Sequence, residues 1–173
     1  MALIMKNAFS KSEQGFTLVE VMVALVIVSV GMLGAYGLVN QSLALANSAA
    51  NRFTAVHLAA EGTEIARNIR DTNYLRFYRG AGNWSDGLTG YESGGAADYS
   101  SGGLTADPAA LLKIAGGFYG YSAGENTMFK RKIKVIPNAS PPDYFEVVSE
   151  VSWSDSAGQH TETVRERLYD WWQ

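Results

Sequence analysis

The stretch "GFTLVEVMVALVIVSVGMLGAYG", Gly15 to Gly37, is apolar almost throughout and yet carries a carboxylate, Glu20, early in its run. From Phe16 to Val39 only Thr17, Glu20 and Ser29 interrupt the apolar character, and about 24 residues of helix suffice to cross a bilayer with some tilt. The segment reads as a membrane helix. An acid in hydrocarbon costs about 3 kcal/mol even on the gentler insertion scales. No lysine or arginine lies between Phe16 and Asn51 to offset it. Either Glu20 sits near enough to the interface to keep its head group in water, or a positive charge reaches it from elsewhere.

A cut between Gly15 and Phe16 would supply that charge. The preceding "MALIMKNAFSKSEQG" is mostly polar after Met5 and sets Lys6 and Lys11 against Glu13, a bias that keeps a leader on the cytoplasmic side. Cleavage leaves a free α-amino group on Phe16, with Glu20 as the fifth residue of the shortened chain. The amine of one subunit could then neutralise Glu20 of its neighbour inside a packed bundle of helices, where a lone acid is costly.

Gly15, Phe16, Thr17, Leu18 and Glu20, ahead of a long apolar helix, resemble the N-terminal cleavage and methylation segment of type IV prepilins and of type II secretion pseudopilins. The resemblance implies that a prepilin peptidase cuts after Gly15, that the new N-terminus at Phe16 is N-methylated, and that Glu20 supports methylation and assembly. Two other readings of the stretch stay open. A secretory signal has an apolar region of about 7 to 15 residues before an A-x-A site, and Ala44 and Ala46 precede Asn47 in that pattern. That cut would release a secreted domain. A plain single-pass anchor accounts for the length and leaves the acid and the polar leader unexplained.

The rest of the 173 residues fits one modest extracytoplasmic domain. A net charge of −3 gives no general field for nucleic acid. Cysteine is absent, so no disulfide staples the fold; many major pilins close a C-terminal loop with one, and this chain departs from that pattern.

Helical character continues beyond Val39 without proline, to about Arg70. The spacing predicts a buried face carrying Phe53, Val56 and Ala60, then Leu58, Ile65 and Ile69. Glu61, Glu64, Arg67, Arg70 and Asp71 are expected to face water or pair along the helix. Gly31, Gly34 and Gly37 weaken the helix or let neighbouring helices approach closely.

From Arg79 to Leu104 glycines and the aromatics Trp84, Tyr91 and Tyr99 suggest a long loop with aromatic pins. The resemblance places partner contacts there. Asp86, Asp98 and Asp107 match no defined calcium spacing, and no metal is expected. In "TMFKRKIKVIP" Phe129, Ile133 and Val135 share one face with Arg131, while Lys130, Lys132 and Lys134 take the other. "YFEVVSEVSW" sets Phe145, Val147, Val151 and Trp153 opposite Glu146 and Glu150, and Ser154 to Gly158 supply a hairpin turn before the final strand. The lysines are expected to pair with those two glutamates. This ending, closing near Trp171, is also similar to the C-terminal ends of several minor pilins and pseudopilins. His57 and His160 belong to no metal-ligand or nucleophile pattern, and the glycines form no phosphate loop.

The expectation is an α+β chain: a leader at residues 1–15, a hydrophobic transmembrane and assembly helix at 16–39, and an amphipathic continuation at 40–78. A Gly-rich variable region at 79–126 and an antiparallel sheet at 127–173 complete it. The resemblance implies a minor type IV pilin, a structural subunit and not an enzyme, without cofactors. Its partners would be other pilin subunits in a helical filament, the prepilin peptidase and methyltransferase, the assembly machinery of the inner membrane and, before assembly, lipid. It would start in the bacterial cytoplasmic membrane with its leader in the cytoplasm, and finish in a cell-surface pilus. A pseudopilin, a competence pilin for DNA uptake, and a membrane-anchored or secreted binding domain or enzyme are the alternatives.

Overall fold

The computed structural model describes residues 15–106, 110–140 and 142–171. One α-helix, α1 (Leu18–Tyr78), precedes five strands: β1 (Leu111–Ala115), β2 (Phe118–Gly120), β3 (Glu125–Pro137), β4 (Tyr144–Asp155) and β5 (Gly158–Tyr169). The strands form one antiparallel sheet in the order β2-β1-β3-β4-β5. The fold is α+β and pilin-like.

The chain divides at Ala46 into two units. In the first, the helix begins at Leu18 and its apolar side chains lie exposed. Ser29 does not break it, because the hydroxyl donates back to the Leu25 carbonyl at 2.7 Å. The helix also runs unbroken through Gly31, Gly34 and Gly37.

In the second unit, from Asn47 on, the later turns of α1 cover one face of the sheet. The buried side of the helix is Ala55, Leu58, Ala59, Gly62, Ile65, Ala66 and Ile69, a stripe at helical spacing built largely of small residues. Phe53 and Val56, predicted inward, are exposed. Small side chains win the interface because the helix backbone approaches the sheet closely. A Cβ on Gly62 would fall 2.2 Å from Ser149 Oγ and 3.1 Å from both Ser149 Cβ and Arg131 Cδ.

Among the described residues Arg131 is the largest side chain with no exposure. It lies under the helix between two apolar clusters, one around Ile133, Val135, Phe145 and Ile69, the other around Phe129, Val151, Leu58 and Ala59. Its Nη1 donates to the Leu58 carbonyl at 3.3 Å and meets Glu61 Oε1 at the same distance, and its Nη2 donates to the Ala97 carbonyl at 2.8 Å. Glu61 therefore pairs with the sheet as well as facing water. Arg67 binds Glu64 and Glu166, Arg70 binds Asp71, and Arg52 binds Glu162 of β5.

The sheet starts upstream of residue 127. β1 and β2 form a hairpin inside the span expected to be loop, joined by Gly116 and Gly117 at φ 58° and 87°, the left-handed pair that a type I′ turn requires. "LLKIAGGFYG" carries that signal, hidden among the other glycines. The segment 79–104 also contributes to the core. Leu88, Ala96, Ala97 and Leu104 are buried, and Gly95 bridges to Ile133 of β3. Trp84 packs on Phe145 and Tyr91 on the same cluster, whereas Tyr99 is exposed against Phe118.

The other expected strands form. Asp155 pairs with Gly158 across a two-residue turn, and Asp155 Oδ1 accepts from the Ala157 amide at 2.8 Å. Lys134 reaches Glu150 at 2.6 Å, while Glu146 pairs with Arg165 of β5 and not with a lysine. Side chains replace disulfides in holding the loops. Asn73 donates to the carbonyls of Trp84 and Asp86. The Tyr74 hydroxyl donates to Asp170 at 2.7 Å and accepts from the Trp171 amide; burial, then Asp170, pushes the phenol up to about 12.

Asp98 is buried. Burial alone would raise its carboxyl, but donations from the Ser100 hydroxyl, the Tyr121 and Ser100 amides and the Ser101 hydroxyl outweigh it and hold the group below the usual range. A depressed carboxyl stabilises above its unfolded value, about 4, and that stability is lost as pH falls through the lower folded value. Urea midpoints measured from pH 6 downward should fall more steeply below about pH 4 in the wild type than in Asp98→Asn. Gly62→Ala should lose about 1 to 3 kcal/mol in the same assay through overpacking. Ser149→Ala, which removes a buried hydroxyl without a partner among the described residues, should be near neutral alone and restore part of the Gly62→Ala loss.

Candidate processing and assembly segment

Gly15, Phe16 and Thr17 stand outside the helix, and all three are exposed. The Gly15–Phe16 bond therefore lies in non-helical backbone, the form a peptidase can take into an extended groove. Among the described residues nothing lies within 4 Å of the position a Gly15 side chain would take, so a demand for a small residue there would come from a protein that binds it. Residues 1–14, with Lys6, Lys11 and Glu13, lie outside the described residues.

Thr17 starts the helix. Its Oγ1 accepts the Glu20 amide at 3.2 Å, and its carbonyl accepts the Val21 amide at 3.2 Å, the arrangement of an N-cap. Thr17 and Glu20 have the T-x-x-E spacing of a capping box, which was legible in "TLVE" though obscured by the polarity question at Glu20. A carboxylate in the first turn also complements the positive end of the helix dipole. Glu20 is thus favoured locally as a helix starter. That contribution is below about 1 kcal/mol and smaller than the cost of the acid in hydrocarbon.

Among the described residues no cation forms an ion pair with Glu20. Phe16 is 81% exposed, and Leu18, Val19 and the apolar residues that follow to Val39 are exposed likewise. Burial of each large one in lipid or against another helix contributes about 1.5 to 3 kcal/mol. The helix is long and apolar enough to cross a membrane. Ala44 and Ala46, the alternative cut, fall inside α1.

The remaining candidates separate. Asp98 is occupied by its hydrogen bonds, Asp86 accepts the Asn83 amide at 2.8 Å, and Asp107 lies outside the described residues. Among the described residues no three His, Asp or Glu side chains gather as metal ligands. His57 sits edge-on to Phe53, and His160 stacks on Trp153 and contacts Asp155 at 3.0 Å.

Residues 10–36 match the family model described as the prokaryotic N-terminal methylation motif, the signature of type IV prepilins. With the pilin-like fold, the motif supports a type IV pilin-like or pseudopilin protein. The motif is that of structural, pilin-type subunits and not of an enzyme family. It implies processing by prepilin peptidase and assembly with other pilins, and with the apolar helix it fits a precursor anchored in the inner membrane. Comparison with curated proteins and with solved structures gives no match.

Thr17→Ala should cost the first turn about 1 kcal/mol. Amide exchange of the full chain in lipid should then quicken at Glu20 and Val21 and stay unchanged beyond Gly62.

Proposed function

We propose that the chain is a minor type IV pilin, cut after Gly15, N-methylated on Phe16, and drawn from the membrane into a cell-surface filament. The observation that carries this reading is the exposed helix start: a capped apolar helix with an accessible bond one residue before the cap and an acid without a partner charge among the described residues. Hydrolysis at Gly15 creates the missing cation. Methylation leaves the Phe16 amine protonated, so it still pairs with a carboxylate. In a filament the amine of an incoming subunit would meet Glu20 of its neighbour, removing the cost of a lone acid while the apolar faces exchange lipid for protein.

Abundance separates minor from major subunits, and the neighbours captured with the chain separate a pilus from a secretion apparatus. The test is intact mass and N-terminal sequence of material from membranes and from sheared cell surfaces, with and without the peptidase. A start at N-methylated Phe16 in a small share of the sheared pilin, lost without the peptidase, is expected. Glu20→Ala should reach the membrane at wild-type level and fall at least tenfold in the sheared fraction, about the penalty of leaving one charge unpaired. A start at Asn47, or an intact Met1 in filaments, would overturn the proposal.

A further inference from the structure

We propose that the free edge of β5 accepts an added strand: an extended segment of another protein with acidic residues at alternate positions. β5 ends the sheet, and its twelve residues pair with β4 in unbroken register from Asp155↔Gly158 to Tyr144↔Tyr169. Among the described residues its other side makes no backbone hydrogen bond. A row of unpaired N–H and C=O groups is a template for another strand.

Protein sheets blunt such edges by shortness, charged side chains, proline, bulges or inward charges. The opposite edge follows that rule, since β2 has three residues. β5 has neither proline nor bulge. Its inward acids are taken up by the helix, Glu162 by Arg52 and Glu166 by Arg67. The strand is thereby fixed from below and left open at its side.

Charge selects the occupant. Register places Lys130, Lys132, Lys134, Arg165 and Arg167 on the outer face of the sheet with only Glu146 and Glu150 among them, although the whole chain carries −3. A strand laid beside β5 sets its outward side chains against Thr161, Thr163, Arg165 and Arg167. Acids there gain cross-strand pairs, and like charges repel. A second β5 would bring its own Arg165 and Arg167 into the same row, so self-pairing is disfavoured and an acidic strand fits.

The probe is a labelled ten-residue peptide alternating glutamate and threonine, added to the full chain in detergent micelles, with a lysine–threonine peptide as its counterpart. Binding of the glutamate peptide is expected, with slowed amide exchange along β5. Methylating one alternate set of the peptide's backbone nitrogens should abolish binding, and methylating the other should not. Arg165→Glu with Arg167→Glu should weaken the glutamate peptide about tenfold and favour the lysine peptide. The methylated peptides on the unaltered chain decide the matter even if that variant does not fold. Equal binding of both peptides, indifference to both methylated sets, or no change in β5 exchange would each overturn the proposal. So would β5 protection that follows protein concentration without peptide, or the same face holding duplex DNA while the peptide stays free.

Discussion

A guanidinium without water sets the terms for the domain. Arg131 stands at the centre of the interface between helix and sheet, and removing its charge from solvent costs several kcal/mol unless partners are provided on every side. Those partners come from two separate parts of the chain, Leu58 and Glu61 on α1 and Ala97 in the irregular segment, while Nε finds none among the described residues. Each must be in place for the others to be tolerable. The position of the helix, the path of residues 79–104 and the register of the sheet are thus coupled through one side chain, with apolar clusters closing over it on both sides.

The same coupling explains why alanine and glycine stand where the helix comes nearest the sheet. A ridge of leucines would hold α1 too far from the sheet for the Leu58 carbonyl and Glu61 to reach the cation. Gly62 over Ser149 gives the approach, and packing density then does what larger side chains would do elsewhere. The first unit obeys the opposite logic. Its large apolar residues from Phe16 to Val39 are exposed among the described residues, and their burial is left to lipid or to other helices.

Much of this was legible in the sequence, because the strongest signals were periodic. The long apolar run, the alternation around Phe129 and Phe145 and the turn before Gly158 each follow from local pattern alone. The face of α1 was harder, since bulk drew attention to Phe53 and Val56 while closeness favoured Ala55, Ala59 and Gly62. Arg131 read as a break in an apolar face because its partners lie far along the chain, where no spacing rule reaches. The β1–β2 hairpin was written plainly as Gly116–Gly117 between short apolar runs, yet glycine was too common around it to stand out. At the N-terminus the chemistry of Glu20 is readable in the sequence and the capping by Thr17 is hidden behind it, one polar role masking another.

The absence of cysteine gives the clamp a further meaning. Exported domains held by disulfides mature only where an oxidant is at hand, and their stability follows the redox poise of the compartment. A domain closed by Arg131, Asp98 and Asn73 has no such dependence. It reaches the same folded state in reducing and oxidising surroundings, needs no thiol-exchange catalyst on its way, and is indifferent to reductants that would loosen a cystine-bound loop.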